Sequence, residues 1–288
     1  MRHVIVLGSA TLDRIERGGR SVVKAGGVVT YAGLTYRRHG LAVTVVANVA
    51  GADRPCFGEL ERAGIHVVWG ATPHTTRFVN RVRGAARHQK MPAAARPLAP
   101  ADVPREVEAD FVHLGPLHPE DLTEDVLAGV TASGKPVGLD VQGYTRRRVG
   151  QRIVPGVAGP VEQALTAATF VKAEAAELAL LLEHFGTDRT AFMQRFRVRE
   201  LLVTEGPRGG YVVEAGGQTA RYAAVDVAHV VDPTGAGDVF FAAYLVARRQ
   251  RGLVPGAAAM YAAEVAAQHV AGRYLATDRL RCPGTVRF

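Results

Sequence analysis

The chain has 288 residues, 48% of them hydrophobic and 22% charged, which is enough length and apolar content for one large α/β domain with a buried core. Its net charge of +8 comes from basic residues scattered among acidic ones, so it indicates no nucleic-acid or membrane partner, and no apolar run reaches the ~18 residues of a membrane-spanning helix. The first eight residues do not resemble a secretory signal, and the two cysteines indicate neither a disulfide framework nor a metal site, so a reduced, cytoplasmic compartment is expected.

The first sixty residues alternate between buried strands and helices, with one β hairpin among them. Two short segments that flank Gly18-Gly19 predict the hairpin, because glycine pairs favour tight turns between strands. Strands are predicted at residues 3–8 and 43–49, and helices at residues 28–38 and 54–63.

Residues 65–90 break this alternation. They contain three strand-like segments with no helix between them, which predicts a β flap or lid on an otherwise α/β chain. The hairpin near residues 14–24 is expected to belong to the same lid. An exposed flap has unpaired edges that a second copy could cover, so a homodimer through the lid and a monomer are both expected outcomes.

From residue 110 onward the alternation returns. Strands are predicted at residues 110–114, 136–141, 168–172, 201–204 and 210–214. Residues 174–185 carry leucines at helical spacing and predict an amphipathic helix. Buried strands separated by helices indicate a doubly wound, mostly parallel sheet, and residues 1–288 are predicted to form one such domain. Ligands of such sheets bind beyond the carboxyl ends of the strands.

Residues 232–238, Asp-Pro-Thr-Gly-Ala-Gly-Asp, lead directly into an apolar helix. The first turn of a helix has backbone N–H groups without intrahelical partners, and the helix dipole adds positive character there. Glycines let an anion approach these groups closely, so the loop is a candidate phosphate site. Asp238 would lie beside the phosphate, where it could take a proton from an attacking hydroxyl. The alternative is that the loop is a turn in which an aspartate merely caps the helix.

The same stretch is similar to the C-terminal signature of the ribokinase/PfkB family of carbohydrate and nucleoside kinases. Other features match that family in order: an early strand leading to Asp13, the hairpin, Gly26-Gly27 before a helix, and a turn at residues 204–209 similar to the family's Thr-x-Gly-x-x-Gly nucleotide turn. The resemblance covers nearly the whole chain. It implies a ribokinase-like fold, in which a doubly wound sheet flanked by helices carries a small β lid.

The resemblance implies roles at the reacting groups. Asp238 would be the base for the acceptor hydroxyl, while the backbone at residues 235–237 would stabilise charge on the transferring phosphoryl group. Asp13 would hold substrate hydroxyls, because a carboxylate accepts two hydrogen bonds from a diol. The residues implied in transfer are Asp238, Gly235, Ala236 and Gly237. The residues implied at the acceptor are Asp13, Gly26, Gly27, Asp140, Gln142 and Arg146.

ATP and Mg²⁺ are the cofactors that the resemblance implies. The residues implied at the nucleotide are Thr204, Gly206, Gly209 and Thr234. The family's metal-organising Asn-x-x-Glu motif corresponds to Glu174 and Glu177, so a second carboxylate stands in place of asparagine. Carboxylates suit Mg²⁺, although both residues also fit the acidic first turn of a helix. A monovalent cation near Asp232 is left open.

The acceptor is expected to be a small polyol. Gly26-Gly27 with its following residues, and the stretch at residues 138–146, look more like inositol-type kinases than like ribokinase or fructokinase. A cyclitol of the myo-inositol type, or a sugar, is therefore the expected acceptor, and a nucleoside is the alternative. A further alternative is a catalytically silent sugar- or nucleoside-binding regulator on the same fold, which would not need Asp238.

Overall fold

The computed structural model describes residues 2–83, 86–104 and 108–284, together with Val286 and Phe288. Residues 84 and 85 of the predicted lid lie outside this described part. The strands are β1 (His3–Gly8), β2 (Thr11–Arg17), β3 (Arg20–Gly26), β4 (Ala42–Asn48), β5 (His66–Gly70), β6 (Thr76–Arg83), β7 (Ala86–Ala93), β8 (Phe111–Gly115), β9 (Val137–Asp140), β10 (Arg146–Val149), β11 (Arg152–Pro155), β12 (Phe170–Glu174), β13 (Glu200–Thr204), β14 (Gly210–Glu214) and β15 (Thr219–Tyr222).

Eight α-helices accompany these strands in the described part of the chain. They are α1 (Val28–Arg38), α2 (Gly58–Arg62), α3 (Glu124–Ala132), α4 (Val161–Ala167), α5 (Ala175–Phe185), α6 (Arg189–Arg195), α7 (Ala236–Arg249) and α8 (Pro255–Val270). None of these described helices has the length and apolar character needed to cross a membrane.

Nine strands form a central sheet in the order β15-β14-β13-β12-β9-β8-β1-β4-β5. Neighbours from β13 to β5 are parallel, whereas β14 and β15 are antiparallel additions at one edge. Successive side chains of β1 enter different clusters: Val4 and Val6 pack with α1, α7 and α8, while Ile5 and Leu7 pack with α3 to α6. Helices therefore cover both faces, and the doubly wound α/β fold predicted from the sequence is confirmed.

The remaining six strands form a second sheet in the order β10-β11-β7-β6-β2-β3. Strands β2 and β3 are the predicted hairpin near residues 14–24. Strand β5 instead pairs in parallel with β4 in the central sheet, because α2 connects the two as a crossover. The predicted lid segment at residues 65–90 thus divides between the sheets. Strands β10 and β11, which the sequence did not predict, complete the second sheet.

Cys56 and Cys282 are joined by a disulfide, so the expectation that the two cysteines form none was wrong. The C-terminal segment returns to the second sheet, where the Cys282 N–H donates to the Val23 carbonyl at 3.1 Å. The backbone of Arg281 forms an isolated antiparallel β-bridge with that of Lys24. This return path brings Cys282 to the 3₁₀ turn that carries Cys56. Sequence spacing gave no sign of the pairing, because it depends on where the chain ends in space.

Candidate active site

The loop at residues 232–238 opens α7, and glycine is required at its centre. Gly235 has φ +77°, and a Cβ there would collide with the ring of Tyr31 from α1. The Ala236 N–H donates to the Pro233 carbonyl at 3.2 Å, so among residues 235–237 it is already engaged within the loop. The start of α7 nevertheless keeps the positive end of the helix dipole open toward an anion.

Asp238 lies in the first turn of α7 and its side chain is half-buried. Burial, and secondly the charge of Asp140, raise its pKa to about 7, although Lys172 and Arg146 act in the opposite direction. A carboxylate with a pKa near neutrality can accept a proton and later release it, which suits a general base. Asp13 also contributes to this rise, so the two aspartates lie within one electrostatic environment.

Lys172 is a residue of this site that the sequence analysis did not identify. It lies on β12, 2% exposed, and its Nζ is 2.8 Å from Asp140 Oδ2. A Cβ on Gly237 would lie only 3.1 Å from that Nζ, so the ammonium group faces the start of α7. Burial alone would lower the pKa of Lys172, but Asp140 and Glu177 hold it above its ordinary value, and the side chain stays charged.

Asp13 and the two glycines form the opposite wall. Asp13 on β2 is buried and accepts a hydrogen bond from Thr11 Oγ1 at 3.0 Å. A side chain on Gly26 would collide with the Asp13 carboxylate, and one on Gly27, where φ is +82°, would collide with the Ser9 carbonyl. The glycine pair is therefore needed for the close packing of β3 and α1 against β2.

Three predicted acceptor residues, Asp140 at the end of β9 and Gln142 and Arg146 after it, differ in availability. Both oxygens of Asp140 are engaged, one by Lys172 and the other by the Gln142 N–H at 3.1 Å. Gln142 and Arg146 are half-buried, and the positive charge of Arg146 acts on Asp238. Arg146 thus acts on the site through its charge, while Asp140 anchors Lys172.

The predicted nucleotide turn joins β13 to β14. The Glu205 N–H donates to the Gly209 carbonyl at 2.8 Å, and both Gly206 and Gly209 have positive φ. Thr204, at the end of β13, is half-buried. Stacked rings of Tyr222 and Phe240, 5.3 Å apart, connect β15 beside this turn to α7.

The backbone of Thr234 is hydrogen-bonded through both its N–H and its carbonyl group, which stabilises the loop. Its N–H donates to Asp232 Oδ1 at 3.0 Å, and its carbonyl is 2.8 Å from His269 Nε2 on α8. The other Asp232 oxygen lies 2.8 Å from Nζ of Lys24, a second lysine that the sequence analysis did not place in the site.

The two lysines had a detectable signal in the sequence. The chain has four lysines among 35 basic residues, and Lys90 and Lys135 are exposed. Lys24 and Lys172 are both buried, and the compact ammonium group of lysine is not interchangeable with the planar guanidinium group of arginine in a buried ion pair. The rarity of lysine in this arginine-rich chain therefore marks four candidates, two of which lie at the site.

Glu174 and Glu177 sit where β12 meets α5. The Glu174 N–H donates to Glu177 Oε2 at 2.8 Å, and the Glu174 side chain is exposed. Burial raises the pKa of Glu177, while Lys172 lowers it. Across the described residues no group of three His, Cys, Asp or Glu side chains forms a metal cage. Each carboxylate accepts a backbone N–H of the other residue in a capping box at the start of α5. Their remaining lone pairs are oxygen donors of the kind that Mg²⁺ prefers, and Mg²⁺ is usually held by only one or two carboxylates in phosphate sites.

Comparison with known proteins finds solved structures of the same fold. A pyrophosphate-dependent kinase of the ribokinase family, solved with a pyrophosphate analogue and myo-inositol, is 23% identical, with a TM-score of 0.78 over 99% of this chain and 97% of that one. The Methanocaldococcus jannaschii nucleoside kinase is 16% identical, with a TM-score of 0.74 over 95% and 93%. Ribokinase from Thermotoga maritima is 18% identical, with a TM-score of 0.73 over 97% and 96%.

These structures establish the shared fold. No protein with curated annotation matches the chain. Residues 60–279 match the family described as pfkB family carbohydrate kinase, which is more than half of the chain. The chain therefore belongs to the pfkB family of carbohydrate kinases, with a ribokinase-like fold.

Proposed function

We propose that this kinase transfers the terminal phosphoryl group of ATP to a hydroxyl of a small polyol, and that the acceptor is a cyclitol of the myo-inositol type. The observation that carries the proposal is Asp238, held in the first turn of α7 with a pKa of about 7 and flanked by the buried ammonium of Lys172. A protein that only binds a sugar has no need for such a base at an anion-binding helix start.

The reaction would proceed in one displacement. The acceptor oxygen attacks the terminal phosphorus, its proton passes to the Asp238 carboxylate, and the bond from phosphorus to the bridging oxygen breaks, so ADP leaves. Lys172 and the free N–H groups at residues 235–237 would stabilise the charge on the phosphoryl oxygens. Asp13 would orient the attacking hydroxyl, with Gln142 and Arg146 beside the acceptor and the Gly26-Gly27 backbone closing the wall.

Mg²⁺ fits this proposal as a counter-ion of the donor. Glu177 and Glu174 would hold it together with phosphate oxygens, and the ion would supply charge neutralisation of the polyphosphate. Thr204, Gly206, Gly209 and Thr234 would line the nucleotide side, Thr234 through the loop that its backbone stabilises.

Two observations favour a polyol over a nucleoside. Asn80 on β6 is 3% exposed, accepts a hydrogen bond from Gln89 Nε2 at 3.0 Å, and lies two residues from Phe78, the register partner of Asp13. The face of the second sheet that carries Asp13 therefore offers further polar groups, which suit several ring hydroxyls. The matched kinase that was solved with myo-inositol supports the same choice.

The donor is proposed to be a nucleotide because of the segment before the 232–238 loop. Val225, Val230 and Val231 are 44%, 59% and 59% exposed there, and in this proposal they would offer apolar surface to a base. Pyrophosphate, the donor of the matched kinase solved with myo-inositol, has no group to cover that surface. Comparing initial rates with equal concentrations of ATP and pyrophosphate tests this part, and a faster rate with pyrophosphate would reverse it.

An acceptor panel tests the function as a whole. Myo-inositol, ribose, fructose and nucleosides would be offered with donor and Mg²⁺ to the native protein and to Asp238→Asn, and products identified by ³¹P NMR. We expect a phosphate monoester of myo-inositol from the native protein alone. Turnover of nucleosides without cyclitols would favour the alternative, a nucleoside kinase. Binding of an acceptor with no turnover in either protein would favour a non-catalytic regulator.

The proposed compartment follows from the use of a nucleoside triphosphate as donor. A kinase that uses nucleoside triphosphate would work in the cytoplasm, whereas the Cys56–Cys282 disulfide is the pairing expected in an oxidising compartment. Thiol labelling of protein taken directly from cells would decide between them.

A homodimer through the second sheet stays a proposal, which sedimentation tests against the monomer mass of 30.7 kDa.

A further inference from the structure

A buried ion pair joins the second sheet to the phosphate-binding loop. Lys24 Nζ on β3 lies 2.8 Å from Asp232 Oδ2, and each side chain is 10% exposed. In the sheet register Lys24 is the direct neighbour of Asp13, the residue proposed to hold the acceptor. One residue pair therefore connects the acceptor wall to the start of α7.

Each oxygen of the Asp232 carboxylate already has a hydrogen-bond partner. One oxygen accepts from Lys24, and the other accepts from the Thr234 N–H at 3.0 Å. Burial alone would raise the pKa of Asp232, but these two partners lower it, so the carboxylate stays ionised. The opposite side of the loop is held by His269 on α8, whose pKa is lowered by burial and which remains neutral.

This arrangement does not fit the monovalent cation that the sequence analysis left open near Asp232. Such an ion needs several carboxylate or carbonyl oxygens pointing at it, whereas each Asp232 oxygen already faces a donor, the Lys24 ammonium group or the Thr234 N–H. An ammonium ion and a potassium ion are also similar in size and charge. The position that a free cation would take beside this carboxylate is thus filled by a tethered one.

We propose that Lys24 is a positioning residue that replaces a bound monovalent cation: its ammonium neutralises Asp232 and fixes the loop at residues 232–238 for phosphoryl transfer. The inference rests on the proposed function for its kinetic consequence, but its consequence for stability does not. It assigns a specific property to this chain, namely that neither catalysis nor stability responds to potassium.

The test is chemical rescue. Native protein, Lys24→Ala, and the double variant Lys24→Ala/Asp232→Asn would be compared in potassium, ammonium and tetramethylammonium chloride at constant ionic strength. Lys90→Met, an exposed lysine of β7, serves as the matched control. Two readouts are used: kcat with KM for the acceptor, and the Tm of each protein in each salt.

We expect the native protein and Lys90→Met to show the same kcat and Tm in all three salts. Lys24→Ala should lose about 10²-fold in kcat in tetramethylammonium, with a much smaller change in KM, because the loop that stabilises the transition state is displaced. In potassium or ammonium the kcat of Lys24→Ala should be about tenfold higher than in tetramethylammonium, and its Tm should be higher by about 2 °C or more. The double variant has the space that the Lys24 side chain leaves but lacks the Asp232 carboxylate, so its kcat and Tm should not depend on the cation.

Two results would overturn the inference: activation or stabilisation of the native protein by potassium, or a Lys24→Ala variant whose kcat and Tm ignore all three cations. If Lys24→Ala does not fold, the double variant should fold, because it leaves no unpaired buried charge, and failure of both variants to fold would also contradict the inference. If the native protein transfers no phosphoryl group, the proposed function fails, while the Tm series still tests the cation replacement.

Discussion

At the scale of single residues, the chemistry depends on charges that are buried close together. Asp238 has its pKa raised to about 7 by burial and by Asp140, whereas Lys172 is held charged by Asp140 and Glu177. Asp238, the proposed base, therefore changes protonation near neutral pH while its neighbouring cation does not. A base and a fixed positive charge at the start of one helix are two of the groups that phosphoryl transfer to an alcohol uses.

The first prediction concerns Asp238→Asn. We expect kcat to fall by about 10²–10⁴-fold with acceptor binding preserved, because the amide cannot take the hydroxyl proton. In the native protein kcat should rise with pH through about 7 as Asp238 loses its proton. Steady-state kinetics between about pH 5 and about pH 9, a range that brackets the pKa of Asp238, measure both effects.

Stability provides an independent check on the same residue. Because the pKa of Asp238 is higher in the folded protein than in the unfolded chain, the native state binds the extra proton, and native stability falls as pH rises from about 4 to about 7. Asp238→Asn lacks this loss, so it should unfold at a higher temperature than the native protein at pH 8 and at the same temperature near pH 4. An equal Tm difference at both pH values would contradict the raised pKa.

The second prediction concerns Lys172→Met. Removal of the ammonium leaves Asp140 buried and unpaired, so we expect a loss of about 3–5 kcal/mol in the free energy of unfolding. We also expect a fall in kcat of about 10²-fold or more, since a charge facing the phosphoryl group is lost. Lys172→Arg should not rescue activity, because Gly237 leaves no room for the larger guanidinium group. Urea unfolding and kinetics measure the two losses, with exposed Lys135→Met as the control.

At the scale of elements, α7 depends on how its first turn is supported. Tyr31 of α1 lies under Gly235, His269 of α8 binds the Thr234 carbonyl, and Lys24 of β3 binds Asp232. Two helices and one strand of the second sheet therefore fix one short loop. The positions of its N–H groups are decided by these three contacts rather than by the loop sequence alone.

The third prediction tests that support with Gly235→Ala. A methyl group at φ +77° is strained and would collide with the Tyr31 ring, so the start of α7 must shift. We expect kcat to fall by about 10²-fold, the loss typical when one oxyanion-stabilising donor is removed. Gly216→Ala is the matched control, because a Cβ there has no neighbour within 4 Å. Equal kinetics for the two variants would show that the loop geometry is not needed for transfer.

At the scale of the whole molecule, the C-terminal segment closes the fold onto its second sheet. The Cys56–Cys282 disulfide spans a sequence separation of 226 residues. The guanidinium carbon of Arg14 on β2 lies 4.1 Å from the centre of the Phe288 ring. The C-terminal segment thus contacts both the 3₁₀ turn that carries Cys56 and the strand that carries Asp13.

The fourth prediction concerns this tie. Cys56→Ser should lower the free energy of unfolding by about 2–5 kcal/mol, because the disulfide restricts a long loop of the unfolded chain. Denaturant unfolding measures the loss. Dithiothreitol should lower the stability of the native protein to that of Cys56→Ser and should leave the variant unchanged. A native protein indifferent to the reductant would mean that the two thiols are not joined in solution.

The sequence predicted the fold and family well because the signals that carry them are local. Buried strands alternating with helices appear as short periodic runs, and the loop at residues 232–238 is continuous in the chain. Strand partners were less predictable. The apolar residues at 66–70 would suit a strand of either sheet, and only the crossover through α2 places this strand beside β4.

By itself, then, the sequence determined a doubly wound α/β kinase with a glycine-rich loop that leads to Asp238 at the start of a helix, since each of these depends on neighbouring residues. The tertiary structure decided what surrounds that loop. Lys24 and Asp232 are 208 residues apart, Lys172 and Asp140 are 32 apart, and the two cysteines 226 apart. Burial then strengthens the attraction within the two ion pairs, because charges removed from water interact far more strongly than charges on the surface.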